Sequence, residues 1–491
     1  MTNLNISFDV EYDLVVIGGG GSGKIAALTG AQGGLRVALL EKMAETGGTS
    51  QFAEGMAAFE SSEQKARIVP AEGKHFPTRE EGFRSLIEFS HQRANPDVVR
   101  TFVDNSAEMI DFLKSLGIVY TDVTIYAYDQ PNEMFTFHKP DGLGARVQEV
   151  LLRNCINAGV DIFTSTPAKK LLIQDGAIVG VQALDSEGNI MNIGSKAVIV
   201  ATGGYGNNPD LLEKYSWLHR SAHYIDQSIP TQNVGDGLNM VTEVGGDTDC
   251  LGTIGLIPCA RFKTLNSHVN GAGSQPGLWI NKNGQRFTSE EIAMTFVNAA
   301  IQIAKQPEAL VYAIMGTDTV NHLMENGSDM GLGDFIEYHR KLTNLQTELD
   351  QDVAEGIVLK GETIEELGKA IGFDPATFAA TVAEYNEACD KSYDPLFFKP
   401  AKYLRPVRKG PFYAIKMGAT MLSSISGIRV NGNLQVTDKD YQPIAGLYAV
   451  GQEVSGLMGD SYNLDIPGTG NGWAHTSGRM AAKHVVKSIK G

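Results

Sequence analysis

Apolar runs that end in glycines recur along the chain. Residues 12–17 (YDLVVI) form the first run and predict a buried parallel strand. A glycine cluster follows, then residues 23–32 predict a helix, and residues 36–40 predict a second strand that ends before Glu41. The order strand, turn, helix, strand is typical of a βαβ unit.

The same pattern returns in the middle of the chain. Residues 196–204 (KAVIVATGG) predict another buried strand that ends in glycines. The preceding residues 168–194 predict a meander of hairpins, because turn signals interrupt their short apolar runs.

Helical patterns occupy other parts of the sequence. Apolar positions at helical spacing predict a helix within residues 96–117, which end on a glycine. Residues 361–389 are also helical in pattern, with Asp374 as a cap and Pro375 at a first helical position. The chain finishes with a predicted helix over residues 472–490.

The composition of the 491 residues is ordinary for a globular protein, with 42% hydrophobic and 20% charged residues. A net charge of −16 opposes binding to nucleic acid or to anionic membranes, because phosphate-rich partners would be repelled. The first residues lack the pattern of a signal peptide, and no apolar run approaches the ~18 residues that span a bilayer. We therefore expect a cytoplasmic protein with no nucleic-acid partner and no membrane span.

Cysteines and histidines show no metal-ligand spacing in this sequence. The four cysteines, Cys155, Cys250, Cys259 and Cys389, are scattered without a CxxC pair. Neither a disulfide framework nor a zinc or iron–sulfur site is indicated. We expect no metal site, and we expect most of the cysteines to be buried thiols.

The glycine cluster after the first strand carries the strongest functional signal. Gly18, Gly20 and Gly23 satisfy G-x-G-x-x-G between a strand and a helix, and Glu41 ends the next strand. The first glycine permits the turn, the second lets a pyrophosphate approach the backbone, and the third lets helix and strand pack closely. The helix N-terminus would attract the pyrophosphate, and Glu41 would accept hydrogen bonds from ribose hydroxyls. No second motif of this kind follows a strand, so the sequence predicts no dedicated NAD(P)H domain.

Further motifs lie in order along nearly the whole chain. They are GGTSQFAEGMAAF at 47–59, FHKPDGLGARVQEVL at 137–151, ATGGYGNNPDLL at 201–212, VGDGLNMVTEVGG at 234–246, NKNGQRFTSEE at 281–291, GPFYAIK at 410–416 and GLYAVGQEVSG at 446–456. With the glycine cluster, they resemble the flavoprotein superfamily of soluble fumarate reductases, succinate dehydrogenase flavoprotein subunits and 3-ketosteroid dehydrogenases.

This resemblance implies an α/β fold, with a Rossmann-like FAD-binding domain and an inserted α+β capping domain that closes over the flavin. The FAD-binding domain would comprise residues 1–236 and 360–491, and the capping domain would comprise residues 237–359. The apolar pattern is least regular in this middle region, as expected for a separate lobe.

The resemblance also assigns cofactor-binding positions residue by residue. They are Gly18, Gly20, Gly21 and Gly23 for the pyrophosphate, Glu41 for the adenosine ribose with Lys42 beside it, Gly48, Thr49, Ser50 and Gly55 for the flavin, Ala168 for the adenine, Ala201, Thr202 and Gly203 beneath the cofactor, Gly451 with Gln452 or Glu453 for the ribityl chain, and Gly470, Asn471 and Gly472 for the flavin N1/O2 edge. The last three open the final helix, whose N-terminus would stabilise an anionic reduced flavin. Thr49 stands where succinate dehydrogenase subunits carry the histidine that attaches FAD, so the resemblance implies non-covalent FAD.

The substrate end departs from the fumarate reductases. Met294 matches the position of their proton-donating arginine, and Ile257 and Ser423 match histidines that hold the substrate carboxylates. A threonine–glutamate pair falls near Val269 and Asn270, and the carboxylate-clamping arginine near the carboxy terminus has no counterpart. With so few charges, a C4 dicarboxylate is not the expected substrate.

The carboxy-terminal motif is closer to that of the ketosteroid dehydrogenases, in which the tyrosine and last glycine of Tyr-Pro-Gly-x-Gly polarise a ketone. Here residues 466–470 read IPGTG, so Gly470 is kept, and Tyr462 is a stand-in for the missing tyrosine. A tyrosine hydroxyl can protonate a carbon or donate to a carbonyl. The alternative is a tyrosine packed under the flavin with its hydroxyl bonded to the backbone. Arg286 and Tyr126 are further candidate catalytic residues.

The predicted function is that of an FAD-dependent oxidoreductase acting on a CH–CH or C=C bond next to a carbonyl, by hydride exchange with flavin N5. We expect a small-molecule substrate such as an enone or steroid-like ketone, and electrons from NAD(P)H or a separate redox protein. Three alternatives stay open: an FAD-containing hydratase or isomerase with a non-redox flavin, a fumarate-reductase-like enzyme for another unsaturated acid, and an FAD-carrying subunit of a larger complex.

Overall fold

The computed structural model describes residues 6–68, 75–124, 135–227, 229–331, 333 and 335–491. The strands are β1 (Val10–Ile17), β2 (Val37–Leu40), β3 (Met56–Ala57), β4 (Tyr120–Val123), β5 (Phe137–Pro140), β6 (Asp161–Phe163), β7 (Ala168–Gln174), β8 (Ala177–Leu184), β9 (Ile190–Val200), β10 (Thr248–Asp249), β11 (Ile254–Ala260), β12 (Leu278–Asn281), β13 (Leu310–Met315), β14 (Val358–Gly361), β15 (Phe412–Ser424), β16 (Gly427–Ile428), β17 (Gln435–Thr437) and β18 (Pro443–Ala449). The α-helices are α1 (Gly21–Gln32), α2 (Ser62–Arg67), α3 (Arg79–Phe89), α4 (Pro96–Ser115), α5 (Leu143–Asn157), α6 (Pro209–Tyr215), α7 (Asp236–Glu243), α8 (His268–Gly273), α9 (Phe296–Ala304), α10 (Thr317–Glu325), α11 (Leu345–Ala354), α12 (Ile364–Ile371), α13 (Pro375–Lys391) and α14 (Thr469–Lys490).

The predicted βαβ unit consists of β1, α1 and β2. The two strands are parallel, with Leu14 opposite Val37 and Ile17 opposite Leu40. All four residues of β2 are buried, as are the last four of β1, because a parallel sheet covered on both faces keeps its strands away from water. The helix begins at Gly21, two residues earlier than the pattern predicted.

The largest sheet joins strands from both ends of the chain. Its order is β17-β18-β8-β9-β1-β2-β6, and β7 pairs with β8. β18 lies parallel to β9, with Leu447 opposite Val198, although the two strands are far apart in sequence. The predicted hairpin meander is formed by the antiparallel strands β7, β8 and β9. This arrangement of both chain ends in one Rossmann-like sheet confirms the predicted fold class.

A second sheet of five strands has the order β11-β15-β13-β12, with β14 also paired to β15. Leu367 of α12 and Phe378 of α13 are buried in one apolar cluster with Ile280 and Phe412 from this sheet. The sheet therefore continues through β15, beyond residue 359, where the predicted capping domain ends. The division into three segments stays a prediction, and we propose that the second boundary lies after β15.

The final helix α14 packs against α1. A methyl group added to Gly478 would lie 2.2 Å from the carbonyl oxygen of Ser22, so the two backbones approach closely there. α14 begins at Thr469, three residues before the predicted start, and its N-cap Gly468 has a φ of +83°. The packing places the N-terminal end of α1 against the second and third turns of α14, at His475 and Gly478.

The other helix predictions agree with the structure at their caps. The Asp374 side chain accepts a hydrogen bond from the Thr377 N–H at 2.9 Å, and Pro375 begins α13. α4 ends at Ser115, two residues before Gly117, which has a φ of +97°.

The cysteines are free thiols, of which Cys155, Cys250 and Cys259 are buried and Cys389 is half-buried. Across the described ranges, no helix combines the length and the apolar character that crossing a bilayer requires.

Candidate functional site

A cleft of about 380 Å³ lies at the carboxyl ends of the parallel strands β1, β2 and β9. Open α/β sheets bind ligands at this edge. Thirteen of the predicted cofactor-binding residues line it: Gly18, Gly20, Gly21, Glu41, Lys42, Gly48, Thr49, Ser50, Ala168, Ala201, Thr202, Gly203 and Gln452. The other predicted cofactor-binding residues, Gly23, Gly55, Gly451, Glu453, Gly470, Asn471 and Gly472, are not among its lining residues.

The glycines of the first turn have different surroundings. Gly18 has a φ of +109°, and a methyl group there would lie 2.4 Å from the carbonyl oxygen of Ala201. At Gly23 the methyl group would lie 1.8 Å from the carbonyl oxygen of Gly18, so this glycine permits the close packing of turn and helix. At Gly20 the nearest atom would be the Gly48 Cα, 3.9 Å away. Gly20 is therefore open toward the cleft, as a backbone that receives a pyrophosphate must be.

The N-terminus of α1 faces the cleft without a side-chain cap. Gly20 occupies the N-cap position, and the first turn carries no acidic residue. The first N–H groups of a helix attract anions, so this end suits a phosphate. With the open face at Gly20, the chemistry of these residues fits the pyrophosphate of FAD.

Glu41 and Lys42 close one side of the cleft. The Glu41 carboxylate accepts hydrogen bonds from the Gly19 N–H at 2.7 Å and the Met43 N–H at 2.8 Å. An ionised carboxylate has about four acceptor positions, so Glu41 can still accept from ribose hydroxyls. The Lys42 ammonium forms an ion pair with Asp236 at 2.6 Å and donates to the carbonyl oxygen of Gln232.

The predicted flavin-binding loop is a short 3₁₀ helix, Thr49–Phe52. Gly48 before it has a φ of +54°, a conformation that favours glycine. The Thr49 hydroxyl accepts a hydrogen bond from the Asn233 side-chain amide at 2.9 Å. Gly55 lies away from the cleft lining, where its carbonyl oxygen accepts from the Asn471 side chain at 3.0 Å.

Gly451, Gln452 and Glu453 form another 3₁₀ turn, and its residues differ in role. Gln452 lines the cleft. Glu453 is buried behind it, where its carboxylate accepts from the Gly204 N–H at 3.0 Å and from the Thr202 hydroxyl. Burial raises the pKa of Glu453. The structure thus distinguishes two residues that the sequence left as alternatives, with Gln452 at the cleft and Glu453 supporting its wall.

Tyr462 and Gly470 meet at the start of α14. The Gly470 N–H donates to the Tyr462 hydroxyl oxygen at 3.0 Å, so this N–H is already engaged. Burial raises the pKa of Tyr462, and the hydrogen bond from Gly470 opposes that rise. Because the hydroxyl accepts in this bond, its own proton is available to another acceptor. The backbone tie is therefore compatible with a role as a proton donor.

The structure does not bring Arg286 to the cleft. Its guanidinium is buried and donates to Glu290 at 2.8 and 2.9 Å and to Asp394 at 2.8 and 3.1 Å. Tyr126 lies outside the described residues, so its predicted role stays a prediction. No group of three or more possible metal ligands occurs in the parts of the chain that the structure describes.

The residues at the predicted substrate end are uncharged. Ile257 on β11 and Ser423 on β15 are buried, and the Ser423 hydroxyl contacts the side-chain oxygen of Gln452. The Asn270 side chain is engaged in the fold, since it accepts from the Ala260 N–H at 2.8 Å and donates to the carbonyl oxygen of Leu265 at 2.9 Å.

Two parts of the site were not predicted from the sequence. Residues 230–233 line the cleft, and Asn233 bonds to Thr49, but their sequence PTQN carries no recognisable motif. His475 of α14 is buried beside the cleft, and no metal-ligand spacing singled it out. The sequence did offer one signal: His475 is four residues after Asn471, on a helix whose start was predicted to face the flavin.

Comparison with known proteins agrees with this geometry. A family model described as "FAD binding domain" matches residues 13–465. The vinyl phenol reductase of Lactiplantibacillus plantarum is 34% identical over 492 residues, which cover 97% of this chain and 97% of that protein.

Solved structures share the fold. The 3-ketosteroid Δ1-dehydrogenase of Sterolibacterium denitrificans has a TM-score of 0.78 and 18% identity, covering 97% of this chain and 100% of that chain. The open conformation of a flavocytochrome c3 fumarate reductase has a TM-score of 0.75 and 23% identity, covering 98% of this chain and 79% of that chain. The family match over residues 13–465 confirms the FAD-binding flavoprotein superfamily that the sequence motifs predicted. Given the family match over most of its length, the chain belongs to the FAD binding domain family.

Proposed function

We propose that the protein is an FAD-dependent reductase of carbon–carbon double bonds in uncharged, oxygen-bearing substrates. The observation that supports it is a group of uncharged residues beside the start of α14, in which Tyr462 and Ser423 are buried and Gln452 is half-buried. A methyl group on Gly470 would lie 3.2 Å from the Tyr462 ring and 3.3 Å from the Gln452 side-chain nitrogen, so the three residues meet. Ser423 adjoins Gln452. None of these four residues carries a positive charge that would hold a carboxylate.

We assign the roles in alkene reduction by asking which residue has a proton to donate. Reduced FAD, held by the residues that line the cleft, would supply a hydride to one carbon of the double bond. Tyr462, positioned by the Gly470 N–H, donates its hydroxyl proton to the second carbon. The double bond then carries one added hydride and one added proton, and the tyrosine recovers its proton from solvent. NAD(P)H or a separate redox protein would restore the reduced cofactor.

A hydroxystyrene is the first substrate to test. The relative that is 34% identical over 97% of both chains is named a vinyl phenol reductase. In a para-hydroxystyrene the ring oxygen makes the terminal carbon electron-rich, so that carbon takes the proton and the ring-attached carbon takes the hydride. An enone is polarised in the opposite sense, because its carbonyl makes the β-carbon accept the hydride. The uncharged residues suit both substrates better than a dicarboxylate.

We propose that FAD is held without a covalent bond. Thr49 lacks the imidazole nitrogen through which a histidine would attach the flavin, and its hydroxyl bonds to Asn233. Acid precipitation of the holoprotein should therefore leave the yellow colour in the supernatant. Colour that stays with the precipitated chain after washing would contradict this proposal.

Anaerobic stopped-flow measurements test the proposed reaction. The photoreduced protein is mixed separately with 4-vinylphenol, cyclohex-2-enone and fumarate, and flavin reoxidation is followed by absorbance. We expect reoxidation by one of the uncharged alkenes to be much faster than reoxidation by fumarate. Fast reoxidation by fumarate alone would overturn the proposal. Turnover of an alkene while the flavin stays oxidised would instead support a hydratase or isomerase.

A further inference from the structure

His475 is a buried histidine on the side of α14 that faces α1. It is 1% exposed, and its Nδ1 lies 2.8 Å from the carbonyl oxygen of Asn471, one turn earlier. A carbonyl oxygen only accepts hydrogen bonds, so Nδ1 must carry a proton. Burial lowers the pKa of His475 to about 4, and the ring is therefore neutral near pH 7. In a neutral imidazole with a proton on Nδ1, Nε2 is an acceptor.

This acceptor has no hydrogen-bond partner among the residues that the structure describes. A buried polar atom without a partner is costly, and native proteins keep few of them. Such an atom beside a ligand cleft indicates that the ligand or an ordered water supplies the missing donor.

The surroundings of Nε2 show where that donor lies. A methyl group on Gly21 would be 3.0 Å from His475 Nε2 and 2.5 Å from the Ser50 hydroxyl oxygen. Gly21 and Ser50 both line the cleft, as does Ala474, the residue before His475. The lone pair of Nε2 is therefore next to the start of α1, where the glycine motif receives the pyrophosphate.

We propose that His475 Nε2 accepts a hydrogen bond from a hydroxyl group of the FAD ribityl chain. Phosphate oxygens and flavin carbonyls are themselves acceptors, so they cannot pair with this lone pair. The ribityl chain is bonded directly to the pyrophosphate and carries three hydroxyl donors. The adenosine hydroxyls are attached on the other side of the pyrophosphate, and Glu41 would accept from them. Of the donors in FAD, the ribityl hydroxyls are thus the group nearest to Gly21 that has a proton to give.

An ordered water is the alternative partner. The Lys24 ammonium, which lies near His475, donates to the main-chain carbonyl of Gln148 at 3.2 Å. The Gln148 side-chain amide is buried, and neither of its polar atoms has a partner within the described ranges. A water could therefore connect these groups. The two arrangements differ in one respect. With a direct bond, the contribution of His475 to FAD affinity depends on one particular ribityl hydroxyl.

Binding of deoxy analogues separates the two arrangements. The apoprotein is titrated with FAD and with FAD lacking the 2′, 3′ or 4′ ribityl hydroxyl, and Kd is measured from flavin fluorescence. We expect wild type to bind one analogue roughly three- to tenfold more weakly than FAD, the net effect of one hydrogen bond. His475→Leu should weaken FAD binding by a similar factor. This variant should bind FAD and that analogue with equal affinity.

Two further variants control this experiment. His475→Gln keeps an acceptor oxygen at a similar reach and should recover part of the lost affinity. His484→Gln changes a histidine of the same helix that bonds to Tyr448, so it should bind all four cofactors as wild type does.

Several outcomes would overturn the proposal. Equal wild-type affinity for all four cofactors would do so without depending on whether any variant folds. If His475→Leu loses affinity for FAD and for every analogue by the same factor, His475 acts through a water or through packing. Affinity that rises as the pH is lowered would indicate a protonated His475 on the pyrophosphate. The proposal rests on FAD binding and not on the proposed reaction. Because Kd is measured without turnover, failure of the His475 contact can be distinguished from failure of the proposed alkene reduction.

Discussion

Gly20 and Gly23 each lack the methyl group of an alanine, and the reason differs between the two positions. A methyl group at Gly23 would lie 1.8 Å from the carbonyl oxygen of Gly18, whereas at Gly20 it would meet no protein atom closer than 3.9 Å. We expect Gly23→Ala to destabilise the apoprotein itself. Gly20→Ala should leave the apoprotein Tm near that of wild type but weaken FAD binding, because its methyl group enters the space of the pyrophosphate. Thermal unfolding without FAD and Kd for FAD check both effects, and equal loss of Tm in both variants would contradict the assignment.

Tyr462 can be tested by removing one oxygen atom. Tyr462→Phe should slow the reduction of the preferred alkene by about 10²- to 10⁴-fold, the usual contribution of a general acid. The flavin spectrum and Kd for FAD should change little. Single-turnover reoxidation of the photoreduced variant measures the chemical step directly.

Tyr205 is a matched control for that change. Its hydroxyl also accepts from a backbone N–H, that of Gly252, at 2.8 Å, but it has a second partner in the Ser426 hydroxyl at 2.9 Å. Tyr205→Phe should lower the stability of the protein but leave the rate of flavin reoxidation by the alkene unchanged. Similar rates in both variants would exclude Tyr462 as the proton donor.

The site residues differ in how far the sequence could predict them. Gly20 and Glu41 lie within a motif whose spacing encodes a strand, a turn and a helix, so their positions followed from local sequence. The bond between Gly470 and Tyr462 depends on how the loop of residues 463–468 folds back, and no local pattern specifies that. His475 lies on a predicted helix, but its orphaned nitrogen is visible only after α1 and α14 are packed together.

Between elements, a buried group of four charges connects the five-stranded sheet to the segment after α13. Arg286 and Lys399 face Glu290 and Asp394, and the Lys399 ammonium lies 3.3 Å from Glu290. Removing one partner of such a group leaves another charge unpaired. Arg286→Met should therefore lower the free energy of unfolding by about 3–5 kcal/mol. Denaturant unfolding measures this loss, and a variant with wild-type stability but no alkene reduction would instead support the predicted catalytic role of Arg286.

The same group makes stability depend on pH. Burial raises the pKa of Asp394, but the hydrogen bonds and charge of Arg286 outweigh burial and hold the pKa below its usual value. The ionised carboxylate thus stabilises the fold at neutral pH, and that contribution disappears as the pH falls through the lowered pKa. Asp394→Asn should be less stable than wild type near pH 7, and the difference should shrink in acid. A difference that stays constant with pH would contradict this origin.

Sheet membership shows the limit of sequence prediction at the scale of elements. β1 and β9 were predicted because each buried apolar run ends in glycines, and β2 was predicted because it completes the βαβ unit. β15 was not assigned to the second sheet, because its partners β11 and β13 come from a segment more than 90 residues earlier. Pairing at that separation is set by the packing of the whole lobe and not by the apolar pattern of either strand.

At the scale of the molecule, the cleft has walls from distant parts of the chain. Gly18 to Ser50 come from the amino-terminal part, residues 230–233 from the middle, and Gln452 and Ala474 from the carboxy-terminal part. A ligand that contacts all of these stabilises their association. FAD at 100 times its Kd should add about 2.7 kcal/mol to the free energy of unfolding.

Hydrogen exchange tests whether one cofactor holds both ends of the chain. FAD should slow amide exchange in residues 18–23 and in the second turn of α14 together, because Gly20, Gly21 and Ala474 all line the cleft. The FAD concentration that gives half of the protection should be the same for the two segments. α3, which is outside the cleft, should exchange equally with and without FAD. Protection confined to residues 18–23 would show that α14 takes no part in holding the cofactor, and the contact proposed for His475 would then fail independently of any catalytic measurement.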